Sequence, residues 1–188
     1  RKWPEDVSVS VNISARDFRN ADVEAMVDAA LAASGLPPRR LEVEVTETAL
    51  IEEKDAATAI LDRLARKGCG IALDDFGTGY SSLAYLKRLP LNTLKIDRSF
   101  IQDIPNSPQD MEIVQAIIVM AHTLHLQVVT EGVETLEQYR FLERLGCDYI
   151  QGYLLSCPVP LAELRPILDQ VNQRLTPLRL VRGTAESM

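Results

Sequence analysis

Residues 70–83 read GIALDDFGTGYSSL, and this stretch decides the fold. Its first four residues are small or apolar, which is typical of a strand that is buried on both faces of a parallel sheet. Two adjacent aspartates, Asp74 and Asp75, end the apolar run, and a loop with two glycines follows them directly. An apolar strand that ends in acidic residues and a tight loop predicts one βα unit of an α/β protein.

The same unit recurs on both sides of this stretch. Alternating or apolar runs predict further strands at residues 7–13, 41–47, 93–97, 127–131 and 149–154. The intervening stretches predict helices at about residues 21–34, 53–67, 81–88, 107–124, from a capping box at Thr135 and Gln138 to Gly146, and at 161–174. Strands that alternate with helices in this way predict a parallel sheet with right-handed crossovers.

Periodicity alone is compatible with a (β/α)8 barrel or with an open doubly wound sheet. No strand is followed by the glycine-rich fingerprint of a dinucleotide-binding fold. Each predicted strand, however, ends with a polar group: Asn12, Glu44, Asp74 with Asp75, Lys95 with Asp97, Glu131, and Gln151. One such acid is commonly a helix cap or part of a surface ion pair, but six successive strand ends argue against coincidence. In a barrel these ends converge on one rim, whereas in an open sheet they spread along an edge, so the pattern favours a TIM-type barrel.

The residue types at these strand ends indicate metal-assisted chemistry. Carboxylate and amide oxygens suit Mg²⁺ or Mn²⁺ rather than zinc or copper. Asp74 and Asp75 repel one another, and a cation beside them relieves this repulsion. Two such ions can lower the pKa of a water and hold phosphate oxygens, while Lys95 orients the water or stabilises phosphoryl charge. Hydrolysis of a phosphodiester fits these groups without a histidine.

Composition excludes several other classes of protein. The chain has 188 residues and a formal net charge of −7, which argues against a general DNA or RNA binder. His122 and His125 are the only histidines, so a histidine-rich metal site or a Ser-His-Asp triad would depend on these two. Cys69, Cys147 and Cys157 form no C-x-x-C pair and are expected to be buried, reduced thiols.

No apolar run approaches the roughly 20 residues that cross a bilayer, and the first residues do not resemble a signal peptide. We therefore expect a cytoplasmic location, as a separate protein or as the cytoplasmic domain of a membrane-anchored sensor, without direct membrane contact from this segment.

Six motifs of this chain resemble those of the EAL domain family, in the family's order and spacing. They are VNIS at 11–14, EVTE at 44–47, DDFGTGYSSL at 74–83, KID at 95–97, EGVE at 131–134 and QGY at 151–153. The resemblance extends from about residue 3 to residue 170. It implies a modified (β/α)8 barrel that hydrolyses cyclic di-GMP to linear pGpG with Mg²⁺ or Mn²⁺.

The resemblance also implies ligands for two metal ions: Asn12, Glu44, Asp74, Asp75 and Glu131. The first three would hold one ion, with Asp74 bridging to the other. Asp75 and Glu131 would serve the second ion, Glu131 directly or through water.

The remaining site residues are expected to act on water, on the substrate or on the loop after Asp75. By resemblance, Lys95 would contact the attacking water, and Asp97 would support the waters beside it. Glu47 would anchor the 75–83 loop rather than bind metal. The other expected members of the loop and substrate site are Phe76, Gly77, Thr78, Gly79, Glu134 and Gln151.

One part of the family pattern is absent. The family is named for a Glu-x-Leu motif on an early strand, whose glutamate binds metal and is followed by an arginine that meets the substrate phosphate. This chain has no such strand, and its 188 residues fall short of the roughly 250 of a TIM barrel. We therefore expect an incomplete barrel of about six strands over residues 1–175, a polar tail at 176–188, an exposed sheet edge and impaired activity of the fragment.

Two other functions remain open for this resemblance. One is a non-catalytic cyclic di-GMP receptor. Such receptors tend to lose metal ligands or the glycine-rich loop, whereas every ligand expected within this chain and the whole loop are retained here. The other is a regulatory or dimerisation module. EAL domains often follow sensor or GGDEF domains and form homodimers through helices near the 75–83 loop, so both kinds of partner are expected.

Overall fold

A computed structural model describes residues 7–20, 22–77, 79 and 83–168. Its strands form one sheet in the order β1 to β6, and every neighbouring pair is parallel. The strands are β1 (Val9–Ile13), β2 (Leu41–Thr46), β3 (Gly70–Phe76), β4 (Thr93–Ile96), β5 (Gln127–Thr130) and β6 (Tyr149–Ile150). The prediction of an α/β fold with six parallel strands, arranged as part of a barrel, is therefore confirmed.

Helices connect the strands and pack on one side of the sheet. They are α1 (Ala15–Asn20), α2 (Val23–Ser34), α3 (Glu47–Glu52), α4 (Lys54–Arg66), α5 (Leu83–Leu86), α6 (Pro108–Thr123) and α7 (Leu136–Arg144), with helical residues again at 161–168. Short 3₁₀ turns occupy Pro38–Arg40 and Arg98–Phe100. The capping box predicted at Thr135 and Gln138 is formed, and Ser107 caps α6 as expected.

Several predicted element boundaries are wrong, for local physical reasons. The Thr46 side chain accepts a hydrogen bond from the Ala49 backbone N–H, so β2 ends there and Glu47 begins α3. The short helix α1 was also not predicted. The predicted strand 149–154 is reduced to two residues, because the backbone after Ile150 makes turn hydrogen bonds instead. Cys157 is exposed, not buried.

Parts of three predictions lie outside the described residues. These parts are Thr78 of the glycine-containing loop, the first residues of the predicted helix 81–88, and the segment from residue 169 onwards, which includes the end of the last helix and the tail.

Alternation along the strands separates an apolar outer face from a polar inner face. Val43, Val45, Ile71 and Leu73 are almost completely buried against the helices. The residues between them point the other way, and on β2, β3 and β4 they include Glu42, Glu44, Ala72, Asp74, Thr93 and Lys95. The fold therefore assigns the charged positions of neighbouring strands to the same inner face.

The first strand is more exposed than the others. Val9 and Val11 are 48% and 43% exposed. Within the described part of the chain, β1 pairs with β2 alone and β6 pairs with β5 alone. None of the described helices is both long and apolar enough to cross a membrane.

Candidate active site

Lys95 forms the centre of the candidate site. It lies on β4, and only 5% of its surface is exposed. Its Nζ atom is 2.8 Å from Glu44 Oε2, 3.0 Å from Asp74 Oδ1 and 2.6 Å from Glu131 Oε1. Side chains of β2, β3 and β4 and of the residue directly after β5 thus meet at one point at the carboxyl end of the sheet.

Three carboxylates of this group are close enough to share a cation. Asp74, Asp75 and Glu131 each offer one oxygen, and these oxygens lie within 4.8 Å of one another. Asp75 has a φ of 54°, and its backbone N–H donates to Asp74 Oδ1 over 3.0 Å. A positive φ is uncommon for a residue other than glycine, and it turns the chain directly after Asp74. The strained backbone of Asp75 thus lies within the cluster of three acids.

Burial and mutual repulsion change how readily these groups ionise. Burial raises the pKa of Asp75, and the negative charges of Asp74 and Asp97 raise it further. Burial also raises the pKa of Glu131, although the hydrogen bond and charge of Lys95 act in the opposite direction. The charged forms of both acids are therefore disfavoured unless more positive charge is supplied.

Lys95 supplies part of that charge. Its burial disfavours the ammonium form, but hydrogen bonds to Glu131 and Glu44 outweigh burial, so the pKa of Lys95 lies above its ordinary value. One ammonium group cannot neutralise four carboxylates, counting Asp75 with the three that Lys95 contacts. All of these donors are hard oxygens, which Mg²⁺, Mn²⁺ and Ca²⁺ prefer in proteins. The residues therefore fit a divalent metal site.

Asn12 and Asp97 are two further polar residues at strand ends next to this group. Asn12 is exposed on β1, and its register partner on β2 is Glu44. Asp97 follows β4, where its carboxylate accepts a hydrogen bond from the Ser99 backbone N–H at 3.0 Å. Burial opposes ionisation of Asp97, but hydrogen bonds from Ser99 and Arg98 lower its pKa overall. It is thus held as an anion beside Asp75.

The loop after Asp75 contacts a buried glutamate. Glu47 is 2% exposed, and its Oε2 accepts hydrogen bonds from the backbone N–H groups of Gly77 at 3.3 Å and Gly79 at 3.1 Å. A Cβ atom on Gly79 would lie 2.9 Å from Glu47 Cδ, so only glycine permits this approach. Phe76, at the start of the loop, is half-buried between the two parts of the core.

Three loop glycines lie where neighbouring loops pack too closely to leave room for a Cβ atom. A Cβ atom would lie 2.6 Å from the Phe100 ring at Gly77, 2.5 Å from Arg98 Cβ at Gly132, and 2.2 Å from Val133 O at Gly152. Arg98 and Phe100 were not predicted as part of this rim. The glycine after each strand was the available signal, but the sequence does not show which residue packs on it.

Glu134 and Gln151 lie in the loops after β5 and β6, and both are exposed. Their backbones are fixed, since the Glu134 N–H donates to Gln138 Oε1 and the Gln151 N–H donates to Thr130 O, both over 2.8 Å. In the described part of the chain, neither side chain makes a hydrogen bond to the carboxylate group around Lys95.

The chain is similar to proteins of one family. The model of the EAL domain matches residues 1–158. The cyclic di-GMP phosphodiesterase NbdA of Pseudomonas aeruginosa is 53% identical over 164 residues, which are 87% of this chain and 21% of that protein. The bifunctional diguanylate cyclase/cyclic di-GMP phosphodiesterase MucR of the same organism is 48% identical over 159 residues, 85% of this chain and 23% of that protein.

Solved structures agree with this similarity. A structure titled PaMucR phosphodiesterase, c-di-GMP complex, superposes with a TM-score of 0.80 at 48% identity, covering 84% of this chain and 64% of that one. A manganese/cy-diGMP complex of Klebsiella pneumoniae BlrP1 gives a TM-score of 0.75 at 34% identity, with coverages of 80% and 39%. The chain thus spans only about a fifth of the length of the curated relatives named above. It belongs to the EAL domain family.

Proposed function

We propose that this chain is part of an enzyme that hydrolyses one phosphodiester bond of cyclic di-GMP and releases pGpG. The observation that carries the proposal is the convergence of Glu44, Asp74 and Glu131 on one buried lysine. Oxygens of Asp74, Asp75 and Glu131 also lie within 4.8 Å of one another. The names of the similar proteins, NbdA and MucR, indicate the substrate. The donor set alone indicates the metal dependence.

Two Mg²⁺ or Mn²⁺ ions are the proposed cofactors. Asn12, Glu44 and Asp74 would hold one, and Asp75 and Glu131 would hold the other with Asp74 between them. When bound, such ions neutralise phosphate charge and lower the pKa of a water. The BlrP1 complexes with manganese and with calcium support a divalent ion in this family.

The charge of Lys95 decides which role it can have in catalysis. Since its pKa lies above the ordinary lysine value, it stays protonated at neutral pH and does not act as a general base. It donates hydrogen bonds, orients the attacking water and stabilises negative charge that develops on the phosphoryl oxygens. Asp97, which remains ionised, accepts hydrogen bonds from waters beside the group.

The loop residues have a structural role in this proposal. Glu47 holds the loop through Gly77 and Gly79, Phe76 lies at the start of the loop, and Thr78 is a further proposed member of the loop and substrate site. The glycines permit close backbone approach to the substrate. Gln151 would complete the floor of the site, and Glu134 would position the substrate or the loop after β5.

Partners and location follow from the family in the same way. We expect a homodimer through the helices near the 75–83 loop, a sensor or GGDEF domain in the same polypeptide, and a cytoplasmic location. The bifunctional name of MucR supports the combination with a second catalytic domain.

The test is turnover of cyclic di-GMP by the purified protein that carries this sequence. With Mn²⁺ present, chromatography should detect pGpG, and Glu131→Gln should reduce the rate by about 100-fold. Glu137→Gln, at an exposed acid on α7, is the matched control and should leave the rate unchanged. Binding of cyclic di-GMP by calorimetry without product would favour the receptor, and a Glu131→Gln variant with full activity would contradict the assigned role.

A further inference from the structure

A second polar layer lies beneath the carboxylate group on the inner face of the sheet. The Thr93 hydroxyl donates to Glu42 Oε1 over 2.6 Å, and the Ser10 hydroxyl donates to Glu42 Oε2 over 3.2 Å. Thr93 is 4% exposed and Glu42 is half-buried. None of these three residues belongs to the metal, water or loop contacts described above.

The Glu42 side chain crosses a whole strand to make this contact. Glu42 is on β2 and Thr93 is on β4, with β3 between them. The register partner of Glu42 on β3 is Gly70, and a Cβ atom there would lie 3.4 Å from Glu42 Cγ. The methyl group of an alanine would be in ordinary van der Waals contact with Glu42, so only a side chain larger than that would crowd the path of the carboxylate.

The upper layer repeats this arrangement two residues further along. Glu44 is also on β2, its register partner on β3 is Ala72, and its carboxylate meets Lys95 of β4 over 2.8 Å. Glu42 and Glu44 share one face of β2 because side chains alternate along a strand, and Thr93 and Lys95 share one face of β4 for the same reason. Two hydrogen bonds, Glu42 to Thr93 and Glu44 to Lys95, thus run side by side across β3, above Gly70 and Ala72.

We infer that Glu42 and Thr93 are positioning residues, which fix the separation and register of β2 and β4 at which Glu44 meets Lys95. The bridge is a short hydrogen bond of 2.6 Å from a buried hydroxyl to a carboxyl oxygen, and such a contact tolerates little displacement. Loss of the Thr93 hydroxyl removes the contact that holds the Glu42 carboxylate to β4. We expect β4 to move relative to β2 as a result, and Lys95, two residues further along β4, to move with it. This inference deepens the proposed function and rests on it, because the catalytic role of Lys95 is part of that proposal.

The experiment compares Thr93→Val, Thr93→Ser and Ser10→Ala in the protein that carries this sequence. Valine keeps the shape of threonine but removes the donor, serine restores the donor, and Ser10→Ala removes the weaker contact on the β1 side. Three quantities are measured: the Kd for Mn²⁺ by calorimetry, the kcat and KM for cyclic di-GMP, and the urea midpoint of unfolding.

For Thr93→Val we expect a roughly tenfold lower kcat with KM within about twofold, and an Mn²⁺ Kd that is about fivefold higher. Thr93→Ser should recover both values to within about twofold, and Ser10→Ala should change them less than Thr93→Val does. If Thr93→Val lowers only the urea midpoint and leaves kcat and the Mn²⁺ Kd unchanged, the bridge is merely structural and the inference is wrong.

The metal titration keeps this test separate from that of the proposed function. If the wild-type protein binds Mn²⁺ but cleaves no cyclic di-GMP, the proposed function fails. The change in Mn²⁺ Kd in Thr93→Val, and its recovery in Thr93→Ser, then still decides whether the lower bridge positions the site.

Discussion

The metal-free protein should become more stable when Asp75 is replaced by Asn. The folded-state pKa of Asp75 is raised by burial and by Asp74 and Asp97, so its charge opposes folding at every pH above that pKa. Asn removes this charge and keeps the shape of the side chain. It also tolerates the positive φ of 54° at this position, since Asn is enriched in that region.

The cluster geometry sets the size of the gain. Two unit charges 4.8 Å apart repel by about 3.5 kcal/mol at an effective dielectric constant of about 20. Each carboxylate spreads its charge over two oxygens, and Lys95 attracts Asp75 and offsets part of the repulsion. We therefore expect a net gain of about 1–2 kcal/mol, which raises Tm by about 3–6 °C for a domain of about 190 residues.

Thermal unfolding in EDTA and then in saturating Mn²⁺ measures the effect. A ligand at 100 times its Kd stabilises the native state by about 2.7 kcal/mol, and the variant should gain less because it has lost a proposed ligand. The order of the two Tm values should therefore invert when Mn²⁺ is added. In EDTA the advantage of the variant should also fade as the pH falls through the raised pKa of Asp75, because the wild type is then protonated.

Asp103→Asn is the matched control, since Asp103 is exposed and lies outside the cluster. It should change the free energy of unfolding by less than about 0.5 kcal/mol. A Tm of Asp75→Asn at or below that of the wild type in EDTA would refute the reasoning, because repulsion among the acids would then not be a cost of the metal-free fold.

Three further outcomes are expected. Glu47→Gln should weaken the acceptor of two loop amides by about 1.5 kcal/mol, seen as roughly tenfold faster hydrogen exchange at those amides alone; uniform exchange rates would contradict this. Gly152→Ala should cost about 1–3 kcal/mol in urea unfolding, since its Cβ would lie 2.2 Å from Val133 O, and an unchanged midpoint would show that the loop yields freely. The pKa of Glu24 is lowered, chiefly by its hydrogen bond to Lys67. This contact therefore stabilises the fold above the ordinary value of 4.5, and the stabilisation is lost as the pH falls through the depressed pKa. Glu24→Gln should therefore flatten the acid side of a stability profile, and a profile that keeps its slope would exclude this pair as a cause.

The sequence predicted the strands wherever alternation and hydrogen bonding agree. β2 and β3 follow their apolar pattern because the apolar residues of each pack against helices on one face. The prediction failed where the sequence pattern of a strand continued but the backbone formed hydrogen bonds with a loop instead of a neighbouring strand. The run after Ile150 still alternates, yet Gly152 packs on the backbone of Val133 and the Leu154 N–H donates to Val133 O over 3.0 Å, so the strand ends early. Such contacts join distant loops and leave no local signal.

The candidate site was also predicted only in part. Residue types at strand ends predicted which side chains face the rim, because parallel strands present their carboxyl ends together. They did not predict that Lys95 would contact three acids at once, nor that Phe100 would fill the space above Gly77. Both depend on which side chains meet across several strands and loops, and the pattern along any one strand does not show this.

Lys95 links the chemistry of the site to the stability of the fold. Two of its carboxylate partners lie on β2 and β3 and the third directly follows β5. Each side chain is mostly buried, so that an unpaired charge there is costly. Removal of one partner from a buried charge group typically costs about 3–5 kcal/mol, so the sheet depends on this ammonium when no metal is present. The ammonium group of Lys95 thus holds the acids together before any cation arrives. The site is preorganised for divalent ions because the fold already requires positive charge at that point.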